Sequence, residues 1–203
     1  MNFYSQATFL KSAARVDQLP GDVGYEVAFA GRSNAGKSSA LNVLTGIRQL
    51  ARTSRTPGRT QLMNVFCLND EQYRLVDLPG YGYAKVAMQV KQAWQEHLAH
   101  YLEVRQSLRG LVLLIDIRHP FNPLDVKMLN WVIAQHVPTH IVLTKADKLS
   151  RSLANQAVLS VQQQYSLYSE FISVQKFSAL KKQGIDELQE ILNNWFEQLN
   201  KIA

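Results

Sequence analysis

Val27-Ala28-Phe29-Ala30-Gly31-Arg32-Ser33-Asn34-Ala35-Gly36-Lys37-Ser38-Ser39-Ala40-Leu41 is the stretch on which the fold turns. An apolar run stops at a glycine, and a helical pattern starts at Lys37. Gly31 to Ser38 matches G-x-x-x-x-G-K-[ST] at every fixed position. Glycines let the backbone wrap tightly and turn its N–H groups toward phosphate. The helix that follows adds the positive end of its dipole. A lysine in this place reaches the β- and γ-phosphates, and the serine hydroxyl suits Mg²⁺. Strand, phosphate loop and helix make the first βα unit of a P-loop nucleotide-binding domain.

Outward from this unit, short apolar runs alternate with amphipathic ones, as in βαβ units around a mainly parallel sheet with helices on both faces. Val27–Ala30, Leu111–Ile115 and Ile141–Leu143 are apolar throughout and read as central strands covered on both sides. Val65–Leu68 and Tyr73–Val76, joined across Asn69-Asp70-Glu71-Gln72, read as a hairpin that sets one antiparallel strand at the edge. Trp94, Leu98, Tyr101 and Leu102 form one helical stripe. Ile185, Leu188, Ile191, Leu192, Trp195, Phe196 and Leu199 form another, preceded by Gly184. Residues 1–24 lie outside the pattern and are expected to form an N-terminal strand or arm on a domain spanning 25–203. The chain has 203 residues, 46% hydrophobic and 19% charged, which suits one globular domain.

Met1 to Arg15 shows no export signal, and Leu111–Ile115, the longest aliphatic run, is too short to span a bilayer. A cytoplasmic protein without membrane attachment is expected. The single cysteine, Cys67, sits in an apolar stretch and reads as a small buried hydrophobe. The net charge is +6, and Val27 to Asn69 contains no acidic residue but holds Arg32, Lys37, Arg48, Arg52, Arg55 and Arg59. Part of that charge faces a nucleotide. The remainder is either an RNA-facing surface or a solvated loop. The histidines have no metal-site spacing: His97 and His100 lack a third ligand, and Pro138 separates His136 from His140.

Two further motifs choose the base. Asp77-Leu78-Pro79-Gly80 follows the second hairpin strand, where a D-x-x-G element belongs. Asp77 would hold Mg²⁺ through water, and the Gly80 N–H would sense the γ-phosphate. Thr144-Lys145-Ala146-Asp147 follows Ile141–Leu143 and is similar to the N-K-x-D element. An aspartate there accepts from guanine N1–H and N2–H₂, donors that adenine lacks, so adenine would leave a buried acceptor unpaired. The Lys145 stem would lie over the base. Thr144 stands where Asn is usual. Ser178-Ala179, after Phe177, fits the short element whose backbone N–H meets guanine O6. Thr60, in the long loop before the hairpin, is the expected third magnesium ligand, with Thr56 as its competitor.

Gly31–Ser39, Thr56-Pro57-Gly58-Arg59-Thr60-Gln61, Asp77-Leu78-Pro79-Gly80-Tyr81-Gly82-Tyr83-Ala84 and Thr144-Lys145-Ala146-Asp147 together resemble the EngB/YihA bacterial GTPases. The resemblance covers nearly the whole chain, including Gln18-Leu19-Pro20, and Thr144 is usual within the family. It implies a Ras-like fold, GTP and GDP binding, Mg²⁺-dependent hydrolysis of GTP, large ribosomal subunit assembly and a link to septation in cell division. It implies a nucleotide site of Gly31–Ser38, Gly58-Arg59-Thr60-Gln61-Leu62, Asp77–Gly80, Thr144–Asp147 and Phe177-Ser178-Ala179. Metal contacts fall to Ser38, Thr60 and, through water, Asp77. Switch I would run from about Ile47 to Thr60 and switch II from about Gly80 to Val90. The expected partners are GTP or GDP, rRNA and a large-subunit precursor, with the chain itself a monomer.

Hydrolysis is expected to be slow, because Tyr81 replaces the glutamine that many small GTPases use to orient water. Lys37 then carries phosphate charge. Asn34, in the G-x-x-N-x-G-K-S pattern, is the candidate ligand for a K⁺ ion. The competing view is that Asn34 merely tolerates the turn while Arg55 or Arg59 acts as a finger in cis. Three rival functions stand beside this one. A P-loop ATPase or kinase conflicts with Asp147 and the D-x-x-G element. A module with structural nucleotide and a septum protein with a protein partner need experiments to separate them.

Overall fold

The sheet is organised around Tyr25–Gly31 (β2), whose last six residues are all buried. In this computed structural model, which describes residues 3–51, 62–82 and 98–197, β2 pairs in parallel with Asp70–Asp77 (β4) on one side and Leu108–Asp116 (β5) on the other. Thr139–Thr144 (β6) and Ile172–Lys176 (β7) continue the parallel run. Met63–Leu68 (β3) is antiparallel to β4, and Ala7–Ala13 (β1) is antiparallel to β3. The order is β1-β3-β4-β2-β5-β6-β7. The fold class is as expected, with one adjustment. The antiparallel strand β3 lies one place in from the edge, because β1 pairs outside it. The hairpin is also tighter than Asn69–Gln72: Leu68 already faces Asp70, and Asn69 alone turns the chain with φ at 64°.

Alternation divides the apolar side chains between two layers. Ala28, Ala30, Val76, Leu111, Leu113, Ile115, Ile141 and Leu143 face one core. Over it lie the helical residues 98–104 (α2), Pro123–Ala134 (α3) and Arg151–Gln164 (α4). Val27, Phe29, Leu75, Val112, Leu114 and Val142 face the other, beneath Lys37–Thr45 (α1) and Ile185–Glu197 (α5). Both stripes read from the sequence pack inward: Leu98, Tyr101 and Leu102 from α2, and Leu188, Leu192 and Phe196 from α5. Trp94 and Leu199 lie outside the described residues. Local signals set the helix starts. Asn122 accepts from the Leu124 amide ahead of Pro123, and Ser150 accepts from the Leu153 amide.

Residues 3–24 join the same body. Tyr4, fully buried, donates to Asn193 Oδ1 at 2.6 Å, and Phe3 packs edge-on to Phe196. At the amino end of β2, Glu26 is buried between two arginines. Arg105 gives it two hydrogen bonds of 2.9 and 2.7 Å, and Arg74 Nε lies 2.9 Å away. Tyr101 adds a hydroxyl at 3.2 Å, and Arg105 also donates to Pro20 O at 2.7 Å. Cys67 is only half-buried and contacts the hydroxyl of Thr8, beside it on the paired edge strand β1, at 3.0 Å. His140 is a core residue, while His100 and His136 are exposed. His97 lies outside the described residues.

Candidate nucleotide-binding site

Five parallel strands bring their carboxyl ends to one rim of the sheet, where α/β folds bind ligands. The loop after β2 turns on two residues in the left-handed region, Asn34 at φ 65° and Gly36 at φ 95°. Gly36 is the N-cap of α1, so the unshared amides of that helix's first turn open toward the loop. Asn34 also meets a conformational demand, since asparagine tolerates this region better than most side chains.

The end of β4 lies beside this loop. Lys37 Nζ bonds to the Asp77 carboxylate, and both side chains are largely buried. The Asp77–Gly80 segment then continues as a ribbon along the phosphate loop. Leu78 N donates to Phe29 O at 3.0 Å, Tyr81 N to Gly31 O at 3.3 Å, and Ser33 N to Tyr81 O at 2.8 Å. Tyr81 itself turns inward. It is 5% exposed, and its hydroxyl donates to Asp125 Oδ1 at 2.7 Å, in the first turn of α3. Burial raises the Tyr81 phenol well above its usual range and lifts the Asp125 carboxyl to about 6.

The loops after β6 and β7 complete the rim. The Thr144 hydroxyl reaches Ala35 O at 2.6 Å and Ile115 O at 3.2 Å, so it ties the phosphate loop to the sheet. Lys145, at φ 59°, stretches its ammonium to Asn34 O at 2.8 Å and Asp116 Oδ2 at 2.9 Å. Asp147 accepts from Ser178 Oγ at 2.5 Å, the main cause of its lowered pKa. Ala146 N donates to Phe177 O at 3.0 Å, which locks the two loops together. One carboxylate oxygen of Asp147 is thereby oriented, and the group stays ionised as an acceptor.

The structure thus brings together Gly31–Ser38, Asp77–Gly80, Thr144–Asp147 and Phe177–Ala179. Leu62 is exposed beside β3. Gly58, Arg59, Thr60 and Gln61 lie outside the described residues, as do Thr56, Arg52, Arg55 and most of the expected switch II. Sequence reading missed Asp116 at the end of β5. It sits between Arg118, at 2.7 Å, and Lys145, and these partners hold its carboxyl well below the usual range despite burial. A charged residue closing an apolar strand was the available signal. The Tyr81–Asp125 contact, across 44 residues, gave none. Among the described residues no group of three His, Cys, Asp or Glu side chains is placed to bind a metal.

A family model described as 50S ribosome-binding GTPase matches residues 26–145, over half of the chain. Two proteins of Coxiella burnetii, from different strains, each carry the name "Probable GTP-binding protein EngB". Each is 52% identical over 193 residues, covering 95% of this chain and 94% of the relative. A crystal structure of a probable GTP-binding protein engB superposes with a TM-score of 0.71 at 20% identity. It covers 85% of this chain and 99% of that one, and speaks to the fold alone. No helix among the described residues is long and apolar enough to cross a membrane. By fold, by family model and by similarity along nearly its full length, the chain belongs to the EngB family of GTP-binding proteins.

Proposed function

We propose that this chain is a GTP-controlled switch that acts in assembly of the large ribosomal subunit, in the cytoplasm and as a monomer. Residues 1–24 would serve as an arm of the domain spanning 25–203. The observation that carries the reading is the convergence of Lys37 from the start of α1, Asp77 from the end of β4, and Lys145 and Asp147 from the loop after β6 on one rim of the sheet. The matching family's description as 50S ribosome-binding supports the ribosomal partner. A basic segment through Arg48, Arg52, Arg55 and Arg59 supports contact with rRNA phosphates. A part in septation would follow indirectly, through the supply of ribosomes. Co-sedimentation with 50S subunits tests the partner. Binding in GTP that weakens in GDP is expected, and no association in either state would remove the ribosomal reading.

Within the site, the roles follow from chemistry. Lys37 would meet the β- and γ-phosphates and leave Asp77 to act through a water. The Ser38 hydroxyl, Thr60 and Asp77 form an all-oxygen set, which suits Mg²⁺. The closeness of Lys37 to Asp77 sets the start of α1, with Ser38, beside the end of β4, which supports a shared role for Ser38 and Asp77. When bound, Mg²⁺ would neutralise charge between the two phosphates. Asp147 would accept from guanine N1–H and N2–H₂, and Lys145 would cover the base.

Hydrolysis would proceed without a glutamine. The Tyr81 phenol is held by Asp125 in the core, so it does not orient the attacking water. Charge developing in the transition state then needs another source. We assign this to K⁺ held in part by the Asn34 side chain, a fixed charge of the kind that accelerates such steps. GTP turnover in KCl should exceed that in NaCl at equal ionic strength, and Asn34→Ala should remove the difference. Equal wild-type rates in the two salts would leave Arg55, Arg59 or a partner as the source.

A further inference from the structure

Two side chains that touch no part of the nucleotide rim are joined in a buried relay behind it. His140, on β6, and Gln175, on β7, are 1% and 2% exposed. His140 Nε2 lies 2.8 Å from Gln175 Oε1, and His140 Nδ1 lies 2.7 Å from Ser173 Oγ. The amide of Gln175 donates through Nε2 to Gly184 O at 2.7 Å.

The direction of every bond in this relay is forced. A carbonyl only accepts, so Gly184 O fixes Nε2 on its side of the Gln175 amide. Oε1 therefore faces the histidine, and His140 Nε2 must carry the proton. Nδ1 is left to accept from the Ser173 hydroxyl. Burial agrees with a neutral ring, lowering the His140 pKa to about 4. Gly184 is fitted to the same contact. At φ +79°, a Cβ there would come within 2.6 Å of both Gln175 Nε2 and Lys176 O.

The relay holds one foot of the loop that closes the base end of the site. The first foot, Phe177, is fixed by sheet-like bonds: Phe177 N donates to Leu143 O at 2.8 Å, and Phe177 O accepts from Ala146 N at 3.0 Å. The second foot is Gly184, whose carbonyl also accepts from Leu188 N at 3.2 Å and so starts α5. Between the feet, Ser178 and Gln183 exchange two backbone bonds of 3.1 and 3.0 Å. Ser178 Oγ accepts from Lys181 N at 3.1 Å while it donates to Asp147. Without Gln175, the second foot would keep only the helix bond.

We infer that Gln175, oriented by His140, is a positioning residue for guanine selectivity: it sets the height of the Ser178–Gln183 turn and, through Ser178, the aim of Asp147. The inference rests on the guanine reading of Asp147 given above. A residue with only a structural role would alter affinity for all nucleotides or for none. Gln175 acts on the base alone, because the phosphate loop is tied to β6 through Thr144 and Lys145 and not through this turn.

The test compares GDP and ADP affinities of the full chain, wild type against Gln175→Met, which keeps length and removes the hydrogen bonds to His140, Gly184 O and Lys176 O. GDP binding should weaken about tenfold, the worth of roughly one orienting hydrogen bond, with ADP binding unchanged. An unchanged GDP-to-ADP ratio in folded variant, or equal weakening for both nucleotides, overturns the inference. A wild type without preference for GDP over ADP instead brings down the guanine reading. If Gln175→Met does not fold, Ser173→Ala loosens only the far end of the relay. It should lower the ratio about two- to threefold, a fraction of one hydrogen bond, and an unchanged ratio there counts equally against the inference.

Discussion

At the scale of single residues, the most informative side chain is Asp125. Its carboxyl is 1% exposed and accepts from Tyr81, yet burial lifts its pKa from 3.8 to about 6. The folded chain therefore holds this proton up to about pH 6, while the unfolded chain releases it near pH 4. Between those values the folded state binds more protons, so this group's contribution to stability falls as pH rises and is lowest above pH 6. Asp125→Asn keeps an acceptor for Tyr81 and removes the buried charge. It should stabilise the protein by on the order of 1–2 kcal/mol at pH 7 and by less at pH 5. Urea unfolding at the two pH values measures this, and a drop in stability at pH 7 would mean that the ionised form is the favoured one.

At the scale of elements, the strand ends divide the labour. The carboxyl ends of β2, β4, β6 and β7 carry the proposed nucleotide residues, and the amino end of β2 carries the Glu26–Arg74–Arg105 cluster. Glu26→Ala would strand the buried Arg74 guanidinium among carbonyl groups and leave Arg105 with the Asp22 carboxylate, at 3.5 Å, at a cost of about 3–5 kcal/mol. GDP affinity of the folded fraction should be unaltered, because the cluster sits at the opposite end of β2 from the phosphate loop. A denaturant curve and a binding isotherm on the same sample check both halves. Much of this layout was legible in the chain. Apolar runs marked β2, β5 and β6, because strands covered on both faces cannot alternate. The stripe from Leu188 to Phe196 marked α5, because one face alone is buried. What could not be read was register. Nothing local to Asp116, Asp125, His140 or Gln175 says which residue of a distant strand or helix lies opposite. Cys67 has apolar neighbours in the sequence, but its exposure depends on how β1 lies against β3.

At the scale of the whole molecule, the proposed ribosomal role would make the distribution of charge govern the encounter with the partner. Arg48 is exposed in the turn that follows α1, and the basic segment continues into residues outside those described. Alanine at Arg48, Arg52 and Arg55 should weaken binding to the 50S subunit. It should also flatten the dependence of log affinity on log salt by roughly one unit for each phosphate that is no longer neutralised. An unchanged slope in the triple variant would leave these arginines as a solvated surface and direct the search for the RNA face elsewhere.

The seating of Tyr4 on Asn193 has a consequence for how this chain comes into being. The two residues are 189 positions apart, and α5, which carries Asn193, is the last element described. During vectorial synthesis Phe3 can meet Tyr73 early, but Tyr4 lacks its Asn193 partner and Phe3 its Phe196 partner until α5 has been made. Strand β1 waits as well, for β3, some 50 residues behind it. The parallel core from β2 onward can begin to assemble in the order of translation, and the N-terminal segment gains its last contacts, those with α5, only at the finish. Premature termination before α5 would leave Phe3 and Tyr73 without Phe196 and Tyr4 without Asn193, a sticky product that cellular quality control would have to clear.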